Sequence, residues 1–405
     1  MAEAGAGPLD GVRVLDFSLV MSGPHCTRML VDLGADVVKV EPPDGDLTRF
    51  FRPRAGSIAL YHAQQNCGKR NLSADLRRPE AVELLLRLVE RVDVLVENFR
   101  PGVMDRLGLG YAAASARNPR LVYASISGFG QRGSSAGRRA YADIIHAEMG
   151  MTEMLERGDG QQDNPFNHAD TYTGLECLAG VLAALLQRER TGRGQHVDVA
   201  MAETLLAVNE WASRELAGGA EDPYSPAGGR ATPVLTTADG RRVVVTGNLV
   251  TRGVFESWCA CMGRPELLDD PRFASAEARL ENRAALVAEL QEWAAGLDGP
   301  EALERALEPS RLATGVVRSV EEAGAGTWAR ERGAVVEVDD RSGGRLRLPN
   351  SPWRFSDATT GVRGVPAYRG EHNREVLEEL LGMDAGEVGA LEAAGVLSSR
   401  LPGSG

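Results

Sequence analysis

The first two hundred residues alternate short β-branched or aliphatic runs with longer segments whose apolar residues recur at helical spacing. Strands are predicted over 12–17, 36–40, 92–96 and 120–126. Helices are predicted over 24–33 and 79–92, with a short one after Pro101. Parallel strands require helical crossovers, so this alternation predicts an α/β domain with a doubly wound, mostly parallel sheet.

Helical spacing returns over 171–190 and 201–216, and the first of these segments stops at the turn sequence Thr191-Gly192-Arg193-Gly194. The residues that follow are rich in Gly, Pro and Ala and carry no hydrophobic pattern. We therefore predict a linker over 217–232.

Residues 233–343 combine several helical patterns with a hairpin-like segment that turns at Asp239-Gly240. This mixture predicts a small α+β domain. The stretch 344–366 is interpreted as a return linker, and 371–394 as a helix, a turn and a second helix. The large domain is therefore expected to contain both chain ends, 1–216 and 344–405.

Composition narrows the functional classes. Hydrophobic residues make up 43%, charged residues 25% and aromatic residues 5%, which is typical of a soluble α/β protein. The net charge of −12 repels nucleic acids and anionic membranes, so a polyanionic ligand would need a local basic pocket. The sequence shows no signal peptide pattern and no apolar run of about 18 residues, so we expect a cytoplasmic protein without a membrane partner.

Cysteines and histidines give no sign of a metal site. The five cysteines are sparse and odd in number, which argues against a disulfide framework. Cys259 and Cys261 lie in an apolar, helix-like run without a second pair of ligands, so they are interpreted as packed side chains. The six histidines show no ligand spacing, and no metal is predicted.

A glycine-rich segment, Gly128 to Gly133, follows the strand predicted over 120–126 and has the spacing G-x-G-x-x-G. The dinucleotide-binding fingerprint also needs an apolar helix that opens within the glycines, whereas a polar segment follows here. A loop that lets the backbone approach a ligand is favoured over a nicotinamide site.

Basic residues gather in the first predicted domain: Lys69, Arg70, Arg100, Arg106, Arg132, Arg138 and Arg139. They are interpreted as lying in loops after strands, where open α/β sheets bind phosphates. A solvated basic face explains the same residues, and the sequence leaves both explanations open.

Asp170 stands at the start of the helix predicted over 171–190. From spacing alone an N-cap is the favoured interpretation. The alternative is a nucleophilic carboxylate whose developing charge is stabilised by nearby backbone N–H groups. His168 is interpreted as a surface or hydrogen-bonded loop histidine.

Taken together, the segments resemble the class III (CaiB/BaiF, formyl-CoA transferase-like) CoA-transferases over nearly the whole chain. Each match is modest alone, but their order and spacing are specific. The matching segments are LDGVRVLDFSLVMSGPHCTRMLVDLGADVVKVEPPDGD, NCGKRNLSADLR, VDVLVENFRPGVMDRLGLG, NPRLVYASISGFGQRG, DTYTGLECLAGVLAALLQRERTGRGQHVDVAM, DPRF and RGEHN.

The resemblance implies a Rossmann-like large domain with a small inserted domain, in an interlocked homodimer. It implies that Asp170 is the catalytic nucleophile, which overrides the N-cap interpretation. CoA and acyl-CoA are implied as substrates, with a small carboxylic acid as acceptor and no prosthetic group. The residues implied to bind CoA are Lys69, Asn98, Phe99 and Arg106, with Arg132, Arg138 and Arg139 near the nucleotide phosphates.

Two positions depart from relatives in the family. Met21 replaces the glutamine of formyl-CoA transferases, whose amide can orient a small carboxylate, so formate and oxalate are doubtful substrates. Ala142 replaces the histidine that α-methylacyl-CoA racemases carry before the position of Asp143, so a racemase would lack one proton carrier. CoA transfer is the favoured function, and a racemase or a non-catalytic CoA-binding protein are the alternatives.

Overall fold

The structure, a computed structural model, describes residues 6–159, 166–218, 233–310 and 312–401. Most of the predicted linker, residues 219–232, lies outside these ranges. The chain divides into two compact units. The first contains residues 1–149, 165–209 and 327–405, and the second contains residues 150–164 and 210–326.

The strands of the described residues are β1 (Arg13–Asp16), β2 (Asp36–Glu41), β3 (Arg54–Ala55), β4 (Ile58–Ala59), β5 (Arg70–Ser73), β6 (Val94–Glu97), β7 (Val122–Ser127), β8 (His196–Ala200), β9 (Val234–Thr236), β10 (Arg242–Val245), β11 (Thr314–Val316), β12 (Val335–Asp339) and β13 (Arg345–Pro349).

The α-helices are α1 (Ser22–Asp32), α2 (Leu60–Asn66), α3 (Pro79–Val89), α4 (Val103–Arg106), α5 (Tyr111–Arg117), α6 (Ala142–Glu148), α7 (Met151–Asp159), α8 (His168–Thr191), α9 (Met201–Val208), α10 (Ala212–Leu216), α11 (Arg252–Met262), α12 (Ala276–Glu281), α13 (Arg283–Ala295), α14 (Pro300–Leu307), α15 (Val320–Ala325), α16 (Thr327–Arg332), α17 (Asn373–Leu381) and α18 (Ala385–Ala393). Short 3₁₀ turns cover Leu47–Phe50, Pro265–Leu268 and Glu308–Ser310.

The first unit is built on a six-stranded parallel sheet with the order β5-β2-β1-β6-β7-β8. Its central strands β6 and β7 are buried on both faces, which accounts for the apolar residues in their sequences. The strand order reverses between β1 and β6. In open α/β sheets a ligand binds at such a point, beyond the carboxyl ends of the strands.

Helices cover both faces of this sheet. Leu84, Leu85 and Leu88 of α3 join the core beside Leu95 and Tyr123. In the second layer of helices, α8 contacts α1 and the strands β7 and β8. By length and composition alone α8 could cross a membrane, but its buried side chains make it a packed helix of the first unit.

The predicted parallel sheet is confirmed, with differences in its parts. The predicted helix over 201–216 is two helices, α9 and α10. Two strands of the parallel sheet, β5 and β8, escaped prediction because each is short and contains polar residues. The β12–β13 hairpin also escaped prediction, although β13 alternates buried and exposed residues. Residues 327–343, expected in the small domain, group with the first unit because β12 and β13 pack Val338, Leu346 and Leu348 onto Ile58 and Ala63.

The second unit contains an antiparallel sheet with the order β11-β10-β9. Its β9–β10 hairpin turns at Asp239-Gly240, as predicted. The core of the unit gathers Trp258, Phe255 and Phe273 with Cys259, which is fully buried. Cys259 is therefore a packing residue, as expected from its apolar helical surroundings.

Candidate active site

A cavity of about 420 Å³ lies where the order of the sheet reverses. Its walls are residues 19–22 after β1, residues 98–101 after β6 and residues 126–128 at the end of β7. Asp170 lies in the same wall, together with Met201 and residues 138–141. The fold therefore places the candidate nucleophile at the position where this sheet topology binds ligands.

The loop after β1 is held by side chains from other segments. Asn98 accepts a hydrogen bond from the Leu19 N–H at 2.8 Å and donates one to the Leu19 carbonyl at 2.8 Å. Its amide also donates to the Ser22 hydroxyl at 3.3 Å. Val20 has a φ of 67°, which is strained for a β-branched residue, and its N–H donates to Asp46 at 3.3 Å. These contacts fix the backbone that leads into α1.

Lys69 supports this loop from within the protein. Its Nζ donates to the Asp16 carboxylate at 2.9 Å, the Thr27 hydroxyl at 2.7 Å, the Pro24 carbonyl at 3.0 Å and the Asn66 amide oxygen at 3.0 Å. Burial lowers the pKa of Lys69 to about 8. Because this ammonium group is 1% exposed and fully hydrogen-bonded, it is not available to a CoA phosphate. Lys69 lies between α2 and β5, so the prediction that it lies in a loop after a strand is wrong.

Asp170 is the third residue of α8, and the N-cap of that helix is Asn167. The interpretation of Asp170 as an N-cap is therefore wrong. The pKa of its carboxyl group is raised to about 6. Burial is the main cause and Asp143 adds a smaller rise, whereas hydrogen bonds from the Ser22 hydroxyl and N–H lower the pKa and partly offset the rise. The carboxyl group is thus ionised at neutral pH but more basic than an ordinary aspartate.

Two helices begin beside this carboxylate. Ser22 opens α1, and Asp170 lies in the first turn of α8, so the N-terminal ends of both helices lie beside this carboxylate. The helices approach closely at Gly174, where an added Cβ would lie 2.8 Å from the Ser22 carbonyl oxygen. Sequence reasoning missed Ser22, although a helix that opens directly after the first strand of such a sheet is a known anion-binding position.

Sequence reasoning also missed Tyr61 of α2. Its hydroxyl donates a hydrogen bond to the Met21 sulfur at 2.8 Å, and the Asn167 amide approaches the same sulfur at 3.8 Å. Burial and the neighbouring Asp170 raise the pKa of Tyr61 to about 12. No motif in the sequence singles out a tyrosine more than one hundred residues before the helix that it faces.

Only some of the residues expected to bind CoA line the cavity at Asp170. Asn98, Phe99, Arg138 and Arg139 line the cavity. Arg138 forms an ion pair with Glu148, and its guanidinium lies 4.5 Å from the centre of the Phe129 ring. Arg106, at the end of α4, and Arg132, in the loop after β7, are exposed and do not line it.

The glycine segment after β7 is a loop, and the next described helix, α6, opens only at Ala142. Gly128 lines the cavity, and a Cβ there would lie 2.2 Å from the Ala140 Cβ. Glycine is therefore required for the close passage of two backbone segments. The absence of a helix that opens within the described glycines 128–133 argues against the dinucleotide-binding fingerprint, and approach of this loop to a ligand stays a prediction.

The histidines near Asp170 have packing or hydrogen-bonding roles. His146 Nε2 accepts a hydrogen bond from the Ala169 N–H at 3.1 Å, and burial lowers the pKa of this imidazole. His168 stacks on Phe166 and Tyr172. Within the described residues no cluster of three or more His, Cys, Asp or Glu side chains could hold a metal ion.

Comparison with known proteins finds relatives over almost the whole chain. Residues 9–373 match the model of CoA-transferase family III. A formyl-CoA:oxalate CoA-transferase of Streptomyces avermitilis is 35% identical over 96% of this chain and 99% of that protein. A succinyl-CoA–D-citramalate CoA-transferase of Chloroflexus aurantiacus is 33% identical over 96% and 98%. The crystal structure of a CaiB/BaiF family protein from Brucella suis matches with a TM-score of 0.79 and 33% identity, covering 93% of this chain and all of that one.

Proposed function

Because the chain belongs to CoA-transferase family III, we propose that it moves CoA from an acyl-CoA donor to a carboxylic acid acceptor through covalent intermediates on Asp170. The observation that carries the proposal is a basic, half-buried carboxylate in the wall of the cavity at the reversal point of the sheet. A nucleophile is needed there, and covalent catalysis divides a difficult exchange into easier steps.

In the first half of the reaction the Asp170 carboxylate attacks the thioester carbonyl of the donor. The C–S bond breaks, CoA leaves as a thiolate, and an acyl-aspartyl anhydride forms. The thiolate then attacks the aspartyl carbonyl of this anhydride, the donor acid leaves as a carboxylate, and an aspartyl-CoA thioester remains.

The second half runs in reverse with the acceptor. The acceptor carboxylate attacks the aspartyl-CoA carbonyl and releases CoA thiolate, which leaves a second anhydride. The thiolate attacks the acceptor-derived carbonyl of that anhydride, so the new acyl-CoA leaves and the Asp170 carboxylate is restored. One thioester is exchanged for another, and no proton has to be added or removed.

The surroundings of Asp170 suit these steps. The Ser22 hydroxyl and N–H orient the carboxylate, and the N-terminal ends of α1 and α8 favour the oxyanions that form beside it. Asn98 and Phe99 bind CoA along the wall of the cavity, with Arg138 and Arg139 as cationic contacts for its phosphates. Arg106 and Arg132 are proposed as outer contacts.

Met21 narrows the substrate class. Its sulfur accepts the Tyr61 hydroxyl and offers no N–H donor to a second carboxylate, in contrast to an amide side chain. We therefore propose acids larger and less polar than formate or oxalate as substrates. The enzyme is proposed to act in the cytoplasm as an interlocked homodimer.

A panel of acyl-CoA and acid pairs, read by mass spectrometry of the acyl-CoA products, tests this proposal. Exchange of CoA between at least one pair is expected without ATP or added metal. If no pair exchanges while CoA binds, the chain is a CoA-binding protein rather than a transferase. Rapid enzyme-dependent deuterium uptake at the α-carbon of a 2-methylacyl-CoA would favour the racemase alternative, which Ala142 argues against.

A further inference from the structure

A second cavity, of about 290 Å³, lies in the first unit and shares no described lining residue with the cavity at Asp170. Its walls come from residues 44–62, around β3, β4 and α2, and from two segments near the end of the chain, 368–369 and 400–401. Nothing in the proposed transfer reaction uses it.

The charges around this second cavity are unbalanced. Arg54, Arg369 and Arg400 line it and form no ion pair with any described residue, whereas Asp44 is its one described carboxylate. Arg49 also lines it but is neutralised by the buried Glu41, at 2.7 Å. The cavity is therefore strongly positive in a chain whose net charge is −12.

Arg369 has two of these arginines, Arg49 and Arg400, as electrostatic neighbours. Its guanidinium donates to the Ser73 hydroxyl at 2.8 Å, the Ser399 carbonyl at 3.1 Å and the Ser398 hydroxyl, all of them neutral acceptors. Burial lowers the pKa of Arg369. Glu41 and Asp44 raise this pKa, whereas the neighbouring Arg49 and Arg400 lower it further. Like charges held together at a partly buried place are stabilised when an anion joins them.

The rest of the wall is apolar or aromatic. Phe50 is 54% exposed, and Ile58, Leu401 and the Tyr368 ring complete the surface. An exposed phenyl group beside neighbouring arginines is suited to a ligand with one compact charged end and one apolar part.

We propose that this cavity binds a small phosphate monoester, with the phosphoryl group at Arg369 and Arg400 and the organic part against Phe50. A phosphoryl group fits better than a dicarboxylate because Arg400 neighbours Arg369 in the wall of one cavity, and because guanidinium groups bind phosphate oxygens through paired hydrogen bonds. The proposal does not depend on the function of the cavity at Asp170.

Isothermal titration calorimetry at constant ionic strength tests the site, with inorganic phosphate, phenyl phosphate and succinate as probes and with CoA present at saturation. Phenyl phosphate is expected to bind several-fold more tightly than inorganic phosphate, and succinate about tenfold more weakly than phenyl phosphate. Equal binding of succinate would overturn the assignment to a phosphoryl ligand. Loss of phosphate binding with CoA but not with dephospho-CoA would assign the cavity to the 3′-phosphate of CoA and would overturn a separate site.

Two variants with opposite expected effects separate binding from misfolding. Arg400→Gln should weaken phenyl phosphate binding about tenfold because it removes a charged donor. Asp44→Asn should strengthen it severalfold because it removes the competing carboxylate. Arg117→Gln, an exposed arginine paired with Glu83 and Glu90 elsewhere in the first unit, is the matched control and should change nothing. Unchanged affinity in both cavity variants would refute the site.

Discussion

The carboxyl group of Asp170 is subject to opposing effects. Burial disfavours its charged form, whereas the Ser22 hydroxyl and N–H favour it. The balance leaves its pKa at about 6, so the group is a stronger base than an ordinary aspartate and is still ionised at neutral pH. Both properties are needed in a carboxylate that must attack a thioester.

The pH profile of transfer follows from this balance. Attack needs the ionised carboxylate, so kcat/KM should rise through an apparent pKa of about 6 and reach a plateau above pH 7. Steady-state kinetics from about pH 5 to about pH 8, which is about one unit below to about two units above that pKa, measure this acidic limb of the profile. A limb near the ordinary aspartate value would contradict this account.

Two variants should move the limb in opposite directions. Ser22→Ala removes a donor to the carboxylate and should shift the apparent pKa upwards, whereas Asp143→Asn removes a like charge and should shift it downwards. A general loss of structure would not produce opposite shifts. If the limb stays in place in both variants, it belongs to another group.

At the scale of elements, the site depends on how closely α1 and α8 approach each other. The contact is made at Gly174, where a side chain would meet the Ser22 carbonyl. The two helices carry the proposed nucleophile, Asp170, and Ser22, which is proposed to orient it, so their spacing would set the geometry of the reacting atoms.

Gly174→Ala should therefore reduce kcat about tenfold to a hundredfold, because the added methyl group pushes α8 away from Ser22. Binding of CoA, measured by calorimetry, should change much less. Gly389→Ala in α18 is the control: a Cβ there meets nothing, so it should leave kcat unchanged and stabilise the fold by about 0.5–1 kcal/mol. Full activity of Gly174→Ala would mean that the helix spacing does not matter.

Elements with a strong hydrophobic period could be predicted from the sequence. The parallel sheet, α8 and the α17–α18 pair all follow from such patterns. The strands β5 and β8 could not be predicted, because each contains polar residues of low strand propensity. They are held in the sheet by pairing with β2 and β7, which are distant in sequence.

The site was only partly predictable, because its geometry also depends on contacts between segments that are distant in sequence. Resemblance to the family indicated Asp170, and the structure places it at the reversal point of the sheet beside Asn98. The same resemblance suggested Lys69, which the structure buries against Asp16. Side-chain direction at one residue is decided by packing, which neither charge nor motif spacing reveals.

At the scale of the whole molecule, exposed apolar side chains support assembly. Leu175 and Leu186 of α8, with Leu206 and Val208 of α9, remain exposed in the first unit. Such residues on neighbouring helices are typical of an interface.

We expect an obligate homodimer that buries well above about 2,000 Å² in total. Light scattering over a dilution series should give the dimer mass at all concentrations at which the enzyme is active. Leu186→Lys should weaken the dimer because it places a charge among these leucines. A stable monomer with full activity would contradict the proposed assembly.

Asp170→Asn tests the central claim most directly. The amide keeps the shape of the side chain but lacks the nucleophilic oxygen, so transfer between any active acyl-CoA and acid pair should fall by at least a thousandfold, a round lower bound for the loss of a covalent nucleophile. CoA binding by calorimetry should persist. In the unmodified enzyme, hydroxylamine added during turnover should label Asp170 as a hydroxamate only when acyl-CoA is present. Near-normal transfer by Asp170→Asn would contradict the account.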